Sequence, residues 1–136
     1  MNRTIKFRGK SIYSEDWLYG SLVKIEKDRY AVIPPLNNIE IGKSIGMYEV
    51  YPETVGQFTG LFDKNGKEIY EGDILHTITF GFEPEEYTAI ILYDNCRFQL
   101  SNGRNLFYFG QSDLTRMDDT IMIGNIYDNP ELIKEE

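Results

Sequence analysis

Apolar residues recur at every second position over short runs of this chain, and glycine, asparagine, aspartate or proline breaks each run. That pattern predicts half-buried strands joined by tight turns. Ile5 and Phe7 alternate with Lys6 and Arg8 as far as Gly9, which predicts a strand over 4–8 with a basic, solvated edge. Trp17, Tyr19, Val23 and Ile25 share one face of a longer strand, while Leu18 and Leu22 make its other face partly apolar. Lys27-Asp28 reads as a polar turn, and 30–33 as a strand ended by Pro34-Pro35. The second proline forces its neighbour into extended geometry. A polar, glycine-bearing loop over 36–46 then leads to a strand over 47–51.

The middle of the chain, PETVGQFTGLFDKNGKEIYEGDI, is punctuated by Gly56, Gly60, Gly66 and Gly72. Asp63-Lys64-Asn65-Gly66 predicts a two-residue hairpin turn, because Asn and Gly tolerate the positive φ that such a turn needs. Phe58 and Leu61 stand before it and Ile69 after it. A second turn follows at Tyr70-Glu71-Gly72-Asp73. Strands are then expected over 74–80, 87–93, 96–100, 105–109 and 120–127. The connections are a Gly81–Glu86 loop, an Asp94-Asn95 turn, a Ser101-Asn102-Gly103 turn and a polar segment over 110–119. A short carboxyl-terminal helix is expected from Pro130, capped by Asp128 or Asn129, with Glu131 at the positive end of its dipole. The expected class is all-β, mainly antiparallel: a small barrel or strongly bent sheets followed by that helix. One domain spans 1–136, or two β subdomains, about 1–60 and 61–136.

The central motif resembles that of the YopX family of phage and prophage proteins. The family's proline-threonine-valine-glycine run, its Thr-Gly-Leu and Asn-Gly turns and its Glu-Gly-Asp-Ile strand entry all have counterparts here. IKFRGK at 5–10 and WLYGSL at 17–22 resemble the family's amino end, and IGNIYDNPEL at 123–132 its carboxyl end. The resemblance implies a β-rich, oligomer-forming phage protein without established catalytic residues. Glu71-Gly72-Asp73-Ile74 is also similar to openings of SH3-like barrels, which is an analogy of fold only.

Composition narrows the picture. Ten Tyr and eight Phe favour strands and supply a core. A single cysteine, Cys96, rules out an intrachain disulfide and fits a reducing bacterial cytoplasm. No apolar run is long enough to span a bilayer as a helix. Residues 1–30 carry seven Lys/Arg against four Asp/Glu, and 31–136 carry seven against eighteen. Direct nucleic-acid binding is therefore disfavoured over most of the surface. The exception is a local patch of Lys6, Arg8, Lys10, Trp17 and Tyr19, the candidate nucleic-acid-binding residues of the alternative reading.

No catalytic, metal or cofactor site is expected. Gly42-Lys43-Ser44 lacks the earlier glycine of a phosphate loop, since Asn37 stands there. Asp63-Lys64-Asn65-Gly66 places its glycine too early for a calcium loop. His76 and Cys96 form no paired-ligand spacing and lack a feature that would activate the thiol. Glu71 and Asp73 read as turn residues more readily than as an acid–base pair of a hydrolase. The expectation is a non-enzymatic module that self-associates and binds a host or phage protein, without a membrane or a cofactor.

Overall fold

The computed structural model describes residues 4–35, 46–78, 86–94, 96–101, 106–108 and 119–133. All but Gly46 of the loop expected over 36–46, most of the 81–86 loop, the 101–103 turn beyond Ser101, Asn95, and most of the 110–119 segment lie outside them. The chain divides into two compact units, Met1–Phe58 and Thr59–Glu136.

In the first unit the strands are β1 (Phe7–Lys10), β2 (Trp17–Glu26), β3 (Arg29–Ile33), β4 (Tyr48–Val50) and the first half of β5 (Gly56–Phe62). All pair antiparallel, in the order β4-β3-β2-β1-β5. β1 is therefore an inner strand and not the solvated edge expected from its lysines. The β2–β3 turn falls at Lys27-Asp28, where Asp28 adopts φ 60°. Ala31, Val32, Val50 and Phe58 are buried. Each valine or phenylalanine side chain so removed from water contributes roughly 1.5–3 kcal/mol, and the alanine methyl less than about 1 kcal/mol.

Where β1 ends, Ser11 makes a single bridge to Val50. Tyr51 N–H donates to Lys10 O at 2.9 Å and Ile12 N–H to Glu49 O at 3.1 Å. Thr54, in a 3-10 turn over Pro52–Thr54, accepts Lys10 N–H at 2.9 Å and donates to Tyr51 O at 2.6 Å. This clip holds β1 to β4 by a few bonds and not by a ladder. Of the two forms expected, a small barrel or strongly bent sheets, the closed barrel does not form, and the strands make two sheets.

The second unit begins with the remainder of β5, hydrogen-bonded to β6 (Glu68–Tyr70). β7 (Asp73–Ile78), β8 (Glu86–Asp94), β9 (Arg97–Ser101) and β10 (Leu106–Tyr108) form a meander. β11 (Ile121–Asn125) returns to the far side of β7, giving the order β10-β9-β8-β7-β11. Ile69, Leu75, Ala89, Ile91 and Leu100 make the core, with Tyr87, Phe98 and Met122 packed against it. Opposite partners such as Leu75–Ala89 and Ile91–Leu100 put these residues on one face. The hydroxyls of Thr77 and Thr120, both fully buried, satisfy each other at 2.6 Å.

Two local expectations are corrected. The hairpin at 63–66 is not a two-residue turn with both Asn65 and Gly66 at positive φ. Only Gly66 adopts it, at 80°, and Asp63 closes the loop against Lys67, with Asp63 N–H donating to Lys67 O at 2.8 Å. The Asp63 side chain binds the turn amides and stabilises this wider form. The carboxyl-terminal helix is likewise absent from the described residues, where Pro130–Leu132 form a single 3-10 turn. Asn125 Oδ1 instead accepts Tyr127 N–H at 3.0 Å and Asp128 N–H at 2.9 Å. The Asn129 side chain makes no cap bond, and its Oδ1 accepts Asn125 N–H at 3.3 Å. So short a segment cannot offset the cost of helix nucleation, and its Leu132 and Ile133 amides close 3-10 bonds to Asn129 O and Pro130 O instead.

Candidate functional site

The face shared by β1 and β2 brings together all five residues of the amino-terminal patch. Alternation along β1 sends Lys6, Arg8 and Lys10 to one side. The antiparallel register then sets Tyr19 opposite Arg8 and Trp17 opposite Lys10. On the other flank of β1, Gly56 of β5 stands opposite Arg8. Phe58 N–H donates to Lys6 O at 2.9 Å, which brings Phe58 alongside Lys6.

Cations and rings interleave on this face. The Arg8 guanidinium carbon lies 4.6 Å from the centre of the Trp17 ring, across the diagonal of the strand pair. Lys6 Nζ lies 5.2 Å from the centre of the Phe58 ring. A desolvated guanidinium over an indole face contributes up to about 2 kcal/mol. Arg8 is only 4% exposed, whereas Lys6, Lys10 and Trp17 are half-buried and Tyr19 is 42% exposed. The guanidinium thus builds the sheet face and is turned away from solvent, while Lys6, Lys10 and Tyr19 are the groups that an incoming surface meets. Replacing Arg8 with Gln should lower stability by about 2 kcal/mol in urea titration, and Arg8→Lys should recover only part of it. Unchanged midpoints for both variants would contradict this placement.

The remaining candidates are separated. Asp73 is fully buried and its Oδ2 accepts Tyr70 N–H at 2.7 Å, within the turn that carries Glu71. His76 lies on β7 opposite Thr88, whose Oγ1 is 3.4 Å from Nδ1, and its Nε2 is 3.8 Å from Glu86. Cys96 is exposed at the β8–β9 turn with φ 63°. Thr88 is six residues along β8 from Asp94, about 20 Å of extended chain, so His76 and the thiol do not meet. Among the described residues no three His, Cys, Asp or Glu side chains group as metal ligands. None of the described helices is long and apolar enough to cross a membrane.

Sequence reasoning missed two charged clusters. Arg29 Nη2 donates to Glu49 at 2.8 Å and its Nη1 to Glu26 at 2.7 Å. Arg29 holds the Glu49 carboxyl below the usual range, chiefly through that hydrogen bond, and is itself raised. The cluster is exposed, so it steers charge and adds little stability. Asp63 is different, being 6% exposed. Its Oδ1 accepts Asn65 N–H at 2.8 Å and Lys67 N–H at 2.9 Å, and its Oδ2 accepts Met122 N–H at 3.0 Å. Burial pushes this carboxyl up, but the Met122, Lys67 and Asn65 amides together outweigh it and hold the group below its ordinary value. An aspartate at the first position of a turn was the available signal. Its reach to β11 was not.

The family described as YopX protein matches residues 6–134. A solved structure described as protein EF1440 from Enterococcus faecalis superposes with a TM-score of 0.63 at 28% identity, covering 98% of this chain and 100% of that one. No curated protein matches the sequence.

Proposed function

The chain belongs to the YopX protein family, and on that premise we propose a non-enzymatic accessory protein of phage or prophage origin that self-associates and binds another protein. It works in the cytoplasm of a bacterial host, where its one exposed thiol stays reduced. The observation that carries this reading is the number of large apolar side chains left in water on both units. In the first unit they include Tyr13, 78% exposed, with Met47 and Tyr48; in the second, Phe62 and Tyr93, 50% and 53% exposed. Rings of this kind are the anchors that protein interfaces favour. The buried carboxylates support the same reading, since Asp63 and Asp73 both bond backbone amides of their own turns.

Sedimentation velocity at micromolar concentration is expected to give a species heavier than the 15.8 kDa chain. A stable contact of this type buries at least about 1,000 Å², enough to persist on dilution into that range. A monomer throughout would overturn the reading. Lys6 and Lys10 beside the exposed Tyr19 favour a second reading, in which the same face holds single-stranded nucleic acid. It requires salt-sensitive binding of a short labelled strand that weakens on Lys6→Gln and Lys10→Gln. Absence of binding at low salt removes it.

A further inference from the structure

The first unit is near charge balance and the second is strongly acidic. Residues 1–58 hold eight Lys/Arg against seven Asp/Glu, whereas 59–136 hold six against fifteen. We propose that the β1–β2 face around Lys6, Lys10 and Tyr19 docks onto the carboxyl-terminal turn of a second copy, around Asp128, Glu131 and Leu132, so that copies join head to tail. This rests on the self-association proposed above and names the two surfaces that meet.

Each surface combines charge with accessible apolar area. On the first, Tyr19 is 42% exposed beside the half-buried lysines. On the second, Leu132 is exposed and follows the exposed acids Asp128 and Glu131, and residues 120–133 contain neither lysine nor arginine. The turn is held in shape beforehand. Asn125 Oδ1 binds the Tyr127 and Asp128 amides, and Asn129 N–H donates to Asn125 O at 2.8 Å. A preformed turn loses little conformational freedom on docking.

Charge decides how copies pair. Matching either surface with itself across a two-fold axis sets like charges opposite each other, which costs association. Matching the two different surfaces neutralises both. The contact is then heterologous, and such contacts close into rings or extend into filaments. A foreign acidic partner would need the same chemistry, but the complementary surface is already present in every copy.

Sedimentation of four forms tests this: wild type, Lys6→Glu/Lys10→Glu, Asp128→Lys/Glu131→Lys, and the chain carrying all four changes. Each pair alone is expected to weaken self-association about tenfold or more, as is raising the salt. The fourfold variant should regain it, as should an equimolar mixture of the two paired variants, because each then meets its complement. Circular dichroism and a urea titration establish folding. If the β1 pair does not fold, the exposed turn pair and the salt series decide. Self-association indifferent to salt and to the charge pairs overturns this inference and leaves the parent reading intact. Loss with the β1 pair alone means that the face meets a different surface of the second copy and also overturns it, as does a mixture that fails to associate. A wild type that stays monomeric overturns both.

Discussion

Replacing Asp63 with Ala is expected to lower the stability of the chain by about 3 kcal/mol, since three backbone N–H groups lose a charged acceptor at once. Met122 matters most among them. It lies on β11, fifty-nine residues further along, so the carboxylate joins the 63–66 turn to a strand that closes the second sheet. The turn also reaches β11's approach directly, with Lys64 N–H donating to Thr120 O at 2.8 Å. Asp63→Asn should recover only part of the loss. Its amide keeps one acceptor oxygen but directs a second donor at N–H groups on one side or the other.

The same carboxylate sets an acid dependence. Its folded pKa lies below the ordinary value, so the unfolded chain takes up this proton more readily than the folded one. The contribution of Asp63 is therefore complete above the unfolded value of about 4 and is lost as the pH falls through the lower folded value. The stability difference between wild type and Asp63→Ala should be widest near neutrality and shrink towards acid. Urea midpoints measured at a series of pH values check both statements. Equal midpoints at neutral pH would refute the role assigned here.

Gly20→Ala is expected to cost about 3 kcal/mol or more, through a different mechanism. Gly20 sits in β2 with φ 155°, and a Cβ there would land on the Ile33 carbonyl oxygen and 2.8 Å from the carbonyl carbon. Those atoms are backbone of β3, paired with β2 at Ser21–Ile33, and can yield only by opening the ladder. Gly60→Ala provides the control. Gly60 has φ 87° but nothing within 4 Å of a Cβ, so only backbone strain of about 1 kcal/mol is expected. Equal urea midpoints for the two alanine variants would show that the close approach of β2 and β3 is not the cause.

Most strands could be placed from the chain itself because their signals are local. Alternation marked β2, β3, β7, β8 and β9, and Gly66 and Gly72 adopt the positive φ that their turns require. Family membership was legible for a similar reason, since the central motif and both flanks are continuous stretches within the matched 6–134. The carboxyl-terminal turn was misjudged because Pro130 and Glu131 suit the first turn of a helix. Those residues suit a single 3-10 turn equally well, and the Leu132 and Ile133 amides bond three residues back, to Asn129 O and Pro130 O.

The candidate site was half legible. Period-two spacing already placed Lys6 with Arg8 on one face, and Trp17 with Tyr19 on another, whereas Lys10 lay beyond a strand expected to stop at Gly9 and is in fact its last residue. That the two faces coincide follows from the β1–β2 register, which no single strand contains. Charge suggested a solvated edge, yet β1 lies between β2 and β5 and Arg8 is buried against Trp17. The chain's own order determined its strands, its turns and its family, because φ preferences and alternation act between residues that are near in sequence. Only the tertiary structure decided which strands lie side by side, and hence why an arginine is buried and why Asp63 reaches Met122. Pairing joins residues far apart along the chain, through contacts whose energy depends on position in space.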